Sequence, residues 1–156
     1  MEINEIIQTC LGGLGAIGFA VLFCVTGKKL AAVGIGGSIS WIVYLLVWNS
    51  YDDKALAILA STITVGILAE ILARVMKTPV IVLLVPMLIP LIPGSDLYYT
   101  TSYLVRGQAA ECTSTLNLLA WEAGAIAFGI ILVTCLVQVI RVVQTEIKMS
   151  KKREKN

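Results

Sequence analysis

The sequence predicts an all-α membrane protein, a polytopic bundle of about five spans in which one span is broken by prolines. The chain has 156 residues, of which 58% are hydrophobic and only 14% are charged. A soluble domain of this size has too few polar side chains to cover so much apolar surface. All four prolines fall within one otherwise apolar stretch, PVIVLLVPMLIPLIPGSD, and they identify the broken span.

The apolar stretches are long enough to cross a bilayer, which takes about 20 residues per helix. The acidic start, MEINEII, lacks the basic region of a signal peptide, so the first stretch is expected to be a retained span. No repeat or linker divides the chain. We therefore expect one integral membrane domain over residues 1–147, followed by a basic cytoplasmic tail at 148–156. The predicted spans are residues 6–26, 30–48, 55–73, 79–93 and 116–140.

The basic residues indicate how the spans are oriented. With the N-terminus outside and the C-terminus inside, ten of the twelve lysine and arginine residues fall on the inner side. Only Lys54 and Arg106 then lie outside. Because basic residues concentrate in cytoplasmic loops, the sequence predicts an N-out, C-in topology with an odd number of spans.

Several function classes have no support in the sequence. The chain contains no histidine, and its four cysteines show no CxxC spacing. No HExxH or GxSxG motif is present, so we expect no enzyme, no catalytic residue, no cofactor, no metal and no nucleic-acid partner. Gly13-x-Gly15-x-x-Gly18 matches the glycine pattern of a dinucleotide-binding motif, but it lies inside an apolar span and no strand precedes it.

The small residues there and in the second and fifth spans instead predict close packing of helices, within the bundle or against a partner chain.

The prolines supply a candidate binding site. Proline has no N–H, so a continuous helix would leave the carbonyls of Val82, Pro86 and Ile89 without donors, which is costly inside a bilayer. A broken helix at membrane depth is typical of a transport site, whereas the alternative is a kinked span packed in the bundle. We expect Gly94-Ser95-Asp96 to cap a helix over 97–105, at the outer surface or re-entering the membrane. The candidate substrate-binding residues are Pro86, Pro90, Pro93, Gly94, Ser95, Asp96 and Tyr98.

Three further charged residues are candidates for coupling or ion pairing. Glu70 lies four residues before Arg74, so the two side chains share a helix face and are expected to pair near the inner end of the third span. Glu122 lies near the outer end of the last span and has no basic neighbour on its own helix. Ionisable residues inside spans are usually functional, so a proton or substrate role for Glu70 remains open beside the structural one.

One pattern of residues resembles a known family. Glu70-Ile-Leu-Ala-Arg74 is followed by Lys77-x-Pro79, by Ile89-Pro90-Leu91-Ile92-Pro93-Gly94 and by Tyr98. Together with the hydrophobic layout, these residues resemble the small subunit of the threonine/serine exporter family.

The resemblance implies secondary export of small polar metabolites across the cytoplasmic membrane of a prokaryote. It implies threonine and serine as substrates in fused members, and dicarboxylates such as succinate in split members. In split members a larger subunit completes the transporter, so we expect such a partner besides the lipid bilayer. A non-transporting assembly or anchoring subunit is the alternative role.

The N-out, C-in topology can be tested by thiol labelling of a Lys152→Cys variant. We expect the introduced thiol to resist a membrane-impermeant reagent in intact cells and to react once the membrane is permeabilised. Labelling of this thiol from outside intact cells would show that the orientation is reversed.

Overall fold

The fold is a bundle of six α-helices with one 3-10 turn, in the part of the chain that the structure describes. The structure is a computed structural model and describes residues 3–153. It confirms the all-α class. Residues 154–156 of the predicted basic tail lie outside the described residues. The helices are α1 (Ile3–Leu22), α2 (Lys28–Tyr51), α3 (Lys54–Val75), α4 (Val80–Leu88), α5 (Gly94–Val105) and α6 (Ala109–Arg153), and the 3-10 turn is Ile89–Leu91.

The predicted number of spans is confirmed. Helices α1, α2, α3 and α6 are each long and apolar enough to cross a membrane. The proline-rich segment supplies the fifth candidate, because α4 with its 3-10 turn meets α5 at a bend of 60°. The last predicted span, 116–140, lies inside α6, which extends beyond it in both directions.

Polar contacts between helices show which ends of the spans lie together. At one end, Asn49 of α2 donates from Nδ2 to Oε1 of Glu5 at the start of α1, at 2.6 Å. At the opposite end, Lys29 of α2 donates from Nζ to Oγ1 of Thr78 before α4, at 3.1 Å. The helices therefore cross the bundle in alternating directions, and the orientation predicted from the basic residues would put the Lys29 end inside. We refer to the two ends as outer and inner on this basis.

Helices α3 and α6 are joined by ion pairs at both ends of the bundle. Lys54 pairs with Glu122 at the outer end, and Glu70 pairs with Arg141 at the inner end. At about 1.5 Å per residue, the two α6 residues are about 28 Å apart, close to the thickness of the hydrocarbon layer. From Glu122, the N-terminal part of α6 extends about 20 Å further outward. Among the described helices, α5 packs against this helix, α6.

Small residues allow the helices to approach closely, as the sequence predicts. A Cβ atom on Gly37 of α2 would lie 2.6 Å from Cβ of Ala16 in α1. On Gly129 of α6 it would lie 2.8 Å from Cγ2 of Thr62 in α3. Gly15, Gly18 and Gly124 have nothing within 4 Å at the Cβ position, so the described helices do not use them for close packing, and contact with a partner chain stays the predicted alternative.

The proline-broken span occupies the centre of the bundle. Leu83 and Met87 of α4 are fully buried among α1, α2 and α3. Helix α4 continues through Pro86, and regular α-helix ends only at Leu88, before Pro90 and Pro93 prevent its continuation.

Two local expectations about the break need correction. Asp96 does not cap α5, because the helix already begins at Gly94 with Pro93 in the capping position. The Asp96 carboxylate forms an ion pair with Lys54 instead, and this contact with another helix replaces the hydrogen bond to a backbone N–H that a capping carboxylate would accept. The carbonyl of Ile89 is also not free, because the 3-10 turn lets it accept a hydrogen bond from the N–H of Ile92 at 3.2 Å.

The close approach of α3 and α6 can be tested with a Gly129→Ala substitution. The added methyl group would lie 2.8 Å from Cγ2 and 3.0 Å from Cβ of Thr62, and a rotation about χ1 does not move Cβ, so the side chain cannot turn away from the contact. We expect a loss of about 1–3 kcal/mol of stability, measured by thermal unfolding in detergent. Gly124→Ala on the same helix is the matched control and should be neutral or slightly stabilising, because its Cβ would enter open space. Equal melting temperatures for the two variants would contradict the close packing.

Candidate functional site

A cavity of about 400 Å³ lies beside the proline break, toward the outer end of the bundle. We call it the outer cavity. Its wall combines aromatic side chains of α2, the beginning of α3, the whole turn between α4 and α5, and one acidic residue of α6. The lining residues are Trp41, Tyr44, Lys54, Ile58, Pro90, Leu91, Ile92, Pro93, Gly94, Ser95, Asp96 and Glu122.

Three charged side chains meet in the outer cavity. Nζ of Lys54 lies 2.7 Å from Oδ2 of Asp96 and 3.4 Å from Oε1 of Glu122. The Glu122 side chain is only 1% exposed and that of Asp96 14% exposed, whereas the Lys54 side chain is 31% exposed. With all three groups ionised, two carboxylates face one ammonium group. In that ionisation state the cluster carries one surplus negative charge.

Two buried polar atoms of the cavity wall have no hydrogen-bond partner among the described residues. They are Oε2 of Glu122, an acceptor, and Nε1 of Trp41, a donor. Leaving such groups unpaired costs free energy that a ligand or water recovers on binding. Both residues line the outer cavity, so its wall contains one unsatisfied acceptor and one unsatisfied donor.

The loop between α2 and α3 determines where Lys54 points. Asp52 adopts a left-handed conformation with φ of 53°, which ends α2. The carboxylate of Asp53 then accepts a hydrogen bond from the N–H of Leu56 at 3.1 Å and caps α3. Lys54 is thus the first residue of α3. Helical side chains tilt toward the N-terminus, so its ammonium group reaches past the helix end to α5 and α6.

The first turn of α5 presents backbone donors at the cavity wall. The N–H of Gly94 is bonded to the carbonyl of Ile92, and the N–H of Leu97 to that of Pro93. Between them, Ser95 and Asp96 occupy first-turn positions, where an α-helix provides no carbonyl acceptor for the N–H. This end of α5 also carries the positive end of the helix dipole, which stabilises Asp96 and favours a carboxylate or similar anion.

A second charged cluster lies at the inner end and contains Glu70. Its Oε2 accepts a hydrogen bond from Arg74 of the same helix at 3.1 Å, as the spacing predicts, and another from Arg141 of α6 at 3.0 Å. The Glu70 side chain is nearly buried, while both arginines are half exposed. Glu70 therefore joins α3 to α6, in addition to pairing within its own helix.

The structure brings together six of the predicted site residues. Pro90, Pro93, Gly94, Ser95, Asp96 and Glu122 all line the outer cavity. Pro86 is buried in α4 and does not line it, and Glu70 and Arg74 lie at the opposite end of the bundle.

The polar side chains of α5 face other partners. Tyr98 is 67% exposed and contacts the Tyr99 ring. The hydroxyls of Thr100 and Thr101 donate to carbonyls of their own helix, those of Asp96 and Leu97. These hydroxyls are therefore engaged within α5 and are not directed to the outer cavity.

Three residues of the cavity that carry a polar side-chain group, Trp41, Tyr44 and Lys54, were not among the predicted site residues. The pattern of basic residues predicts only that Lys54 lies outside, and the sequence indicates for Trp41 and Tyr44 only a place in an aromatic belt at the membrane interface. A signal for Lys54 was present, since Glu122 has no basic neighbour on its own helix and Lys54 is one of two basic residues expected outside. No sequence signal placed the two aromatic residues against the proline break, because that contact depends on how α2 packs against α4.

The fold and cavity together define a class of protein. A polytopic helix bundle with an interrupted span and a charged cavity at the interruption has the architecture of a secondary transporter. A family model described as "Threonine/Serine exporter, ThrE" matches residues 8–136, which is most of the chain. The chain belongs to the threonine/serine exporter family, as the resemblance in its motifs indicated. No curated protein and no solved structure matches the chain.

The inner cluster can be tested by comparing two arginine substitutions. Arg141→Gln removes the ion pair between α3 and α6, whereas Arg74→Gln removes a pair within α3. We expect Arg141→Gln to lower the melting temperature of the purified chain more than Arg74→Gln, with a loss of about 1 kcal/mol because both arginines are half exposed. Equal losses would show that Glu70 does not hold the two helices together.

Proposed function

We propose that the chain is one subunit of a two-component secondary exporter and that the outer cavity binds a small α-amino acid of the threonine and serine class. The observation that carries the proposal is the buried carboxylate pair. Asp96 and Glu122 face one ammonium group, and one oxygen of Glu122 has no hydrogen-bond partner among the described residues. A ligand with a cationic group that binds this pair of carboxylates is the one that the arrangement favours.

The chemistry of an α-amino acid matches the cavity wall. Its ammonium group would bind Oε2 of Glu122 and the Asp96 carboxylate through charge-assisted hydrogen bonds. Its carboxylate would face the first-turn amides of Ser95 and Asp96, at the positive end of α5. Nε1 of Trp41 and the Tyr44 hydroxyl remain as partners for a side-chain hydroxyl. Each charge of a zwitterion thus has a counterpart in the cavity.

A dicarboxylate such as succinate fits this wall less well. Its second carboxylate would meet Asp96 and Glu122, and only Lys54 opposes that repulsion. Like charges held close together in a poorly solvated site are unfavourable. The family match names threonine and serine, and the surplus of negative charge in the cavity favours the same class.

We further propose that a larger subunit of the same family completes the exporter in the cytoplasmic membrane of a prokaryote. An odd number of crossings places the two ends of the membrane domain on opposite sides of the bilayer. A second half with an inverted orientation would then face this one across a shared site, as in transporters built from inverted repeats. If the chain is instead an assembly or anchoring subunit, its outer cavity takes no part in export.

The proposal is tested by measuring export of L-threonine from cells that express the chain with the larger subunit. We expect Asp96→Asn and Glu122→Gln each to raise the KM for L-threonine about tenfold or more, because each removes a charge-assisted bond to the ammonium group. Glu111→Gln is the matched control, because this glutamate is exposed on α6 away from the cavity. Immunoblots confirm that all variants are equally abundant.

Parallel measurements separate the alternatives. Succinate export should be unchanged or improved in Asp96→Asn if the cavity accepts dicarboxylates. Cells that express the chain without the larger subunit should not export either compound. If Asp96→Asn and Glu122→Gln both export L-threonine normally at normal abundance, the cavity is not the substrate site.

A further inference from the structure

The ammonium group of Lys54 occupies the place that the proposed function assigns to the ammonium group of the substrate. We propose that Lys54 is a displaceable occupant of the outer cavity: the substrate replaces it on Asp96 and Glu122 and thereby releases the outer end of α3 from α5 and α6. This inference rests on the proposed function and adds a specificity-determining residue to it.

Lys54 already contacts the two carboxylates to which the proposed function assigns the ammonium group of the substrate. Its Nζ lies 2.7 Å from Asp96 and within ion-pairing distance of Glu122, so it takes up the space between the two carboxylates. A second ammonium group at the same position would be repelled by the first. Replacing one ammonium group with another keeps a cation beside the two carboxylates. The carboxylate that the substrate also carries would face the first-turn amides of α5.

Lys54 is also the member of the cluster that is able to leave. Glu122 is held in the interior of the bundle, and Asp96 lies in the first turn of α5, where the helix dipole favours its charge. Lys54 is the first residue of α3, has a flexible side chain of four methylene groups and is the most exposed of the three. After displacement, the ammonium group of Lys54 can therefore reach solvent, while the two carboxylates stay in place.

Displacement has a structural consequence because the cluster joins three helices. Of the ion pairs found among the described residues, those that tie α3 to α5 and to α6 at the outer end both involve Lys54. At the inner end, the pair between Glu70 and Arg141 is independent of the cavity. Between these ends, Thr62 packs tightly against Gly129. Loss of the Lys54 contacts thus frees α3 and α6 at one end while they stay in contact elsewhere.

If the exchange occurs, only a ligand that carries an ammonium group can release the outer end of α3 from α5 and α6. L-Threonine carries an ammonium group that can replace Lys54. In 3-hydroxybutyrate the same carboxylate and hydroxyl are present without that group. This analogue should therefore leave Lys54 in place, so the two compounds form a matched pair of probes.

The first experiment measures the reactivity of Lys54 in the purified complex with the larger subunit. An amine-acetylating reagent is applied with and without saturating L-threonine, and mass spectrometry quantifies modification of Lys54. We expect L-threonine to increase this modification about fivefold, the factor that corresponds to losing one partly exposed ion pair. Lys29 at the inner end is the internal control and should not change. Protection of Lys54 by L-threonine, or an equal increase with 3-hydroxybutyrate, would overturn the inference.

The second experiment compares Lys54→Met with Lys54→Arg in the cellular export assay. Lys54→Met removes the competing charge but keeps an unbranched side chain, so the KM for L-threonine should fall about fivefold. Lys54→Arg keeps a competing cation and should have a KM closer to that of the unmodified chain. A higher KM in Lys54→Met, at normal abundance, would mean that Lys54 supports binding and would overturn the inference.

These results are distinguishable from failure of the proposed function. If Asp96→Asn and Glu122→Gln raise the KM while Lys54→Met leaves it unchanged, the cavity binds the substrate and only the displacement of Lys54 is wrong. If none of the three substitutions affects L-threonine export, both proposals fail together.

Discussion

A carboxylate buried inside a helix bundle requires a counter-charge, and this requirement governs how α3, α5 and α6 are arranged. Glu122 has no basic residue near it on α6, so its ion pair must come from another element, and Lys54 supplies it. Because the loop before α3 directs Lys54 past the helix end, the same ammonium group also binds Asp96. At the other end of the bundle, Glu70 joins α3 to Arg141. The two clusters lie about one hydrocarbon thickness apart, so each lies near a surface of the membrane, where a charged group costs less free energy than at the centre.

The proline break gives this arrangement its chemistry. A continuous helix would have carried Asp96 along the axis of α4, whereas the 3-10 turn and the bend of 60° turn the first amides of α5 toward the cavity. Acceptors from Asp96 and Glu122 then lie near backbone donors of Ser95 and Asp96. A zwitterion has complementary groups at the same short spacing. Membership of the threonine/serine exporter family and the charge of the cavity therefore support the same class of substrate from separate observations.

The interface of α3 and α6 combines two kinds of interaction with different consequences. The contact of Thr62 with Gly129 depends on shape and has no alternative partner. The terminal ion pairs involve flexible side chains that can exchange partners at low cost. In the proposed exchange, a ligand that carries an ammonium group competes with Lys54 but not with Arg141, so the two ends of the interface would respond differently to it. This asymmetry is a physical basis for coupling occupancy of the cavity to movement at one end of the bundle.

The sequence by itself determined the all-α class, the broken span, the small-residue contacts of Gly37 and Gly129, the pairing of Glu70 with Arg74 and the candidate role of the 90–96 turn. These properties follow from local periodicity, residue size and the missing N–H of proline, which act over one or two helical turns. Only the tertiary structure decided that Lys54 neutralises Asp96 and Glu122, that Arg141 shares Glu70, and that Trp41 and Tyr44 line the cavity. Those contacts join residues far apart in the chain, and they depend on helix packing that no local pattern encodes. Asp96 shows the difference most clearly: its sequence context favours a helix cap, but a nearby ammonium group offers its carboxylate a stronger partner than a backbone amide does.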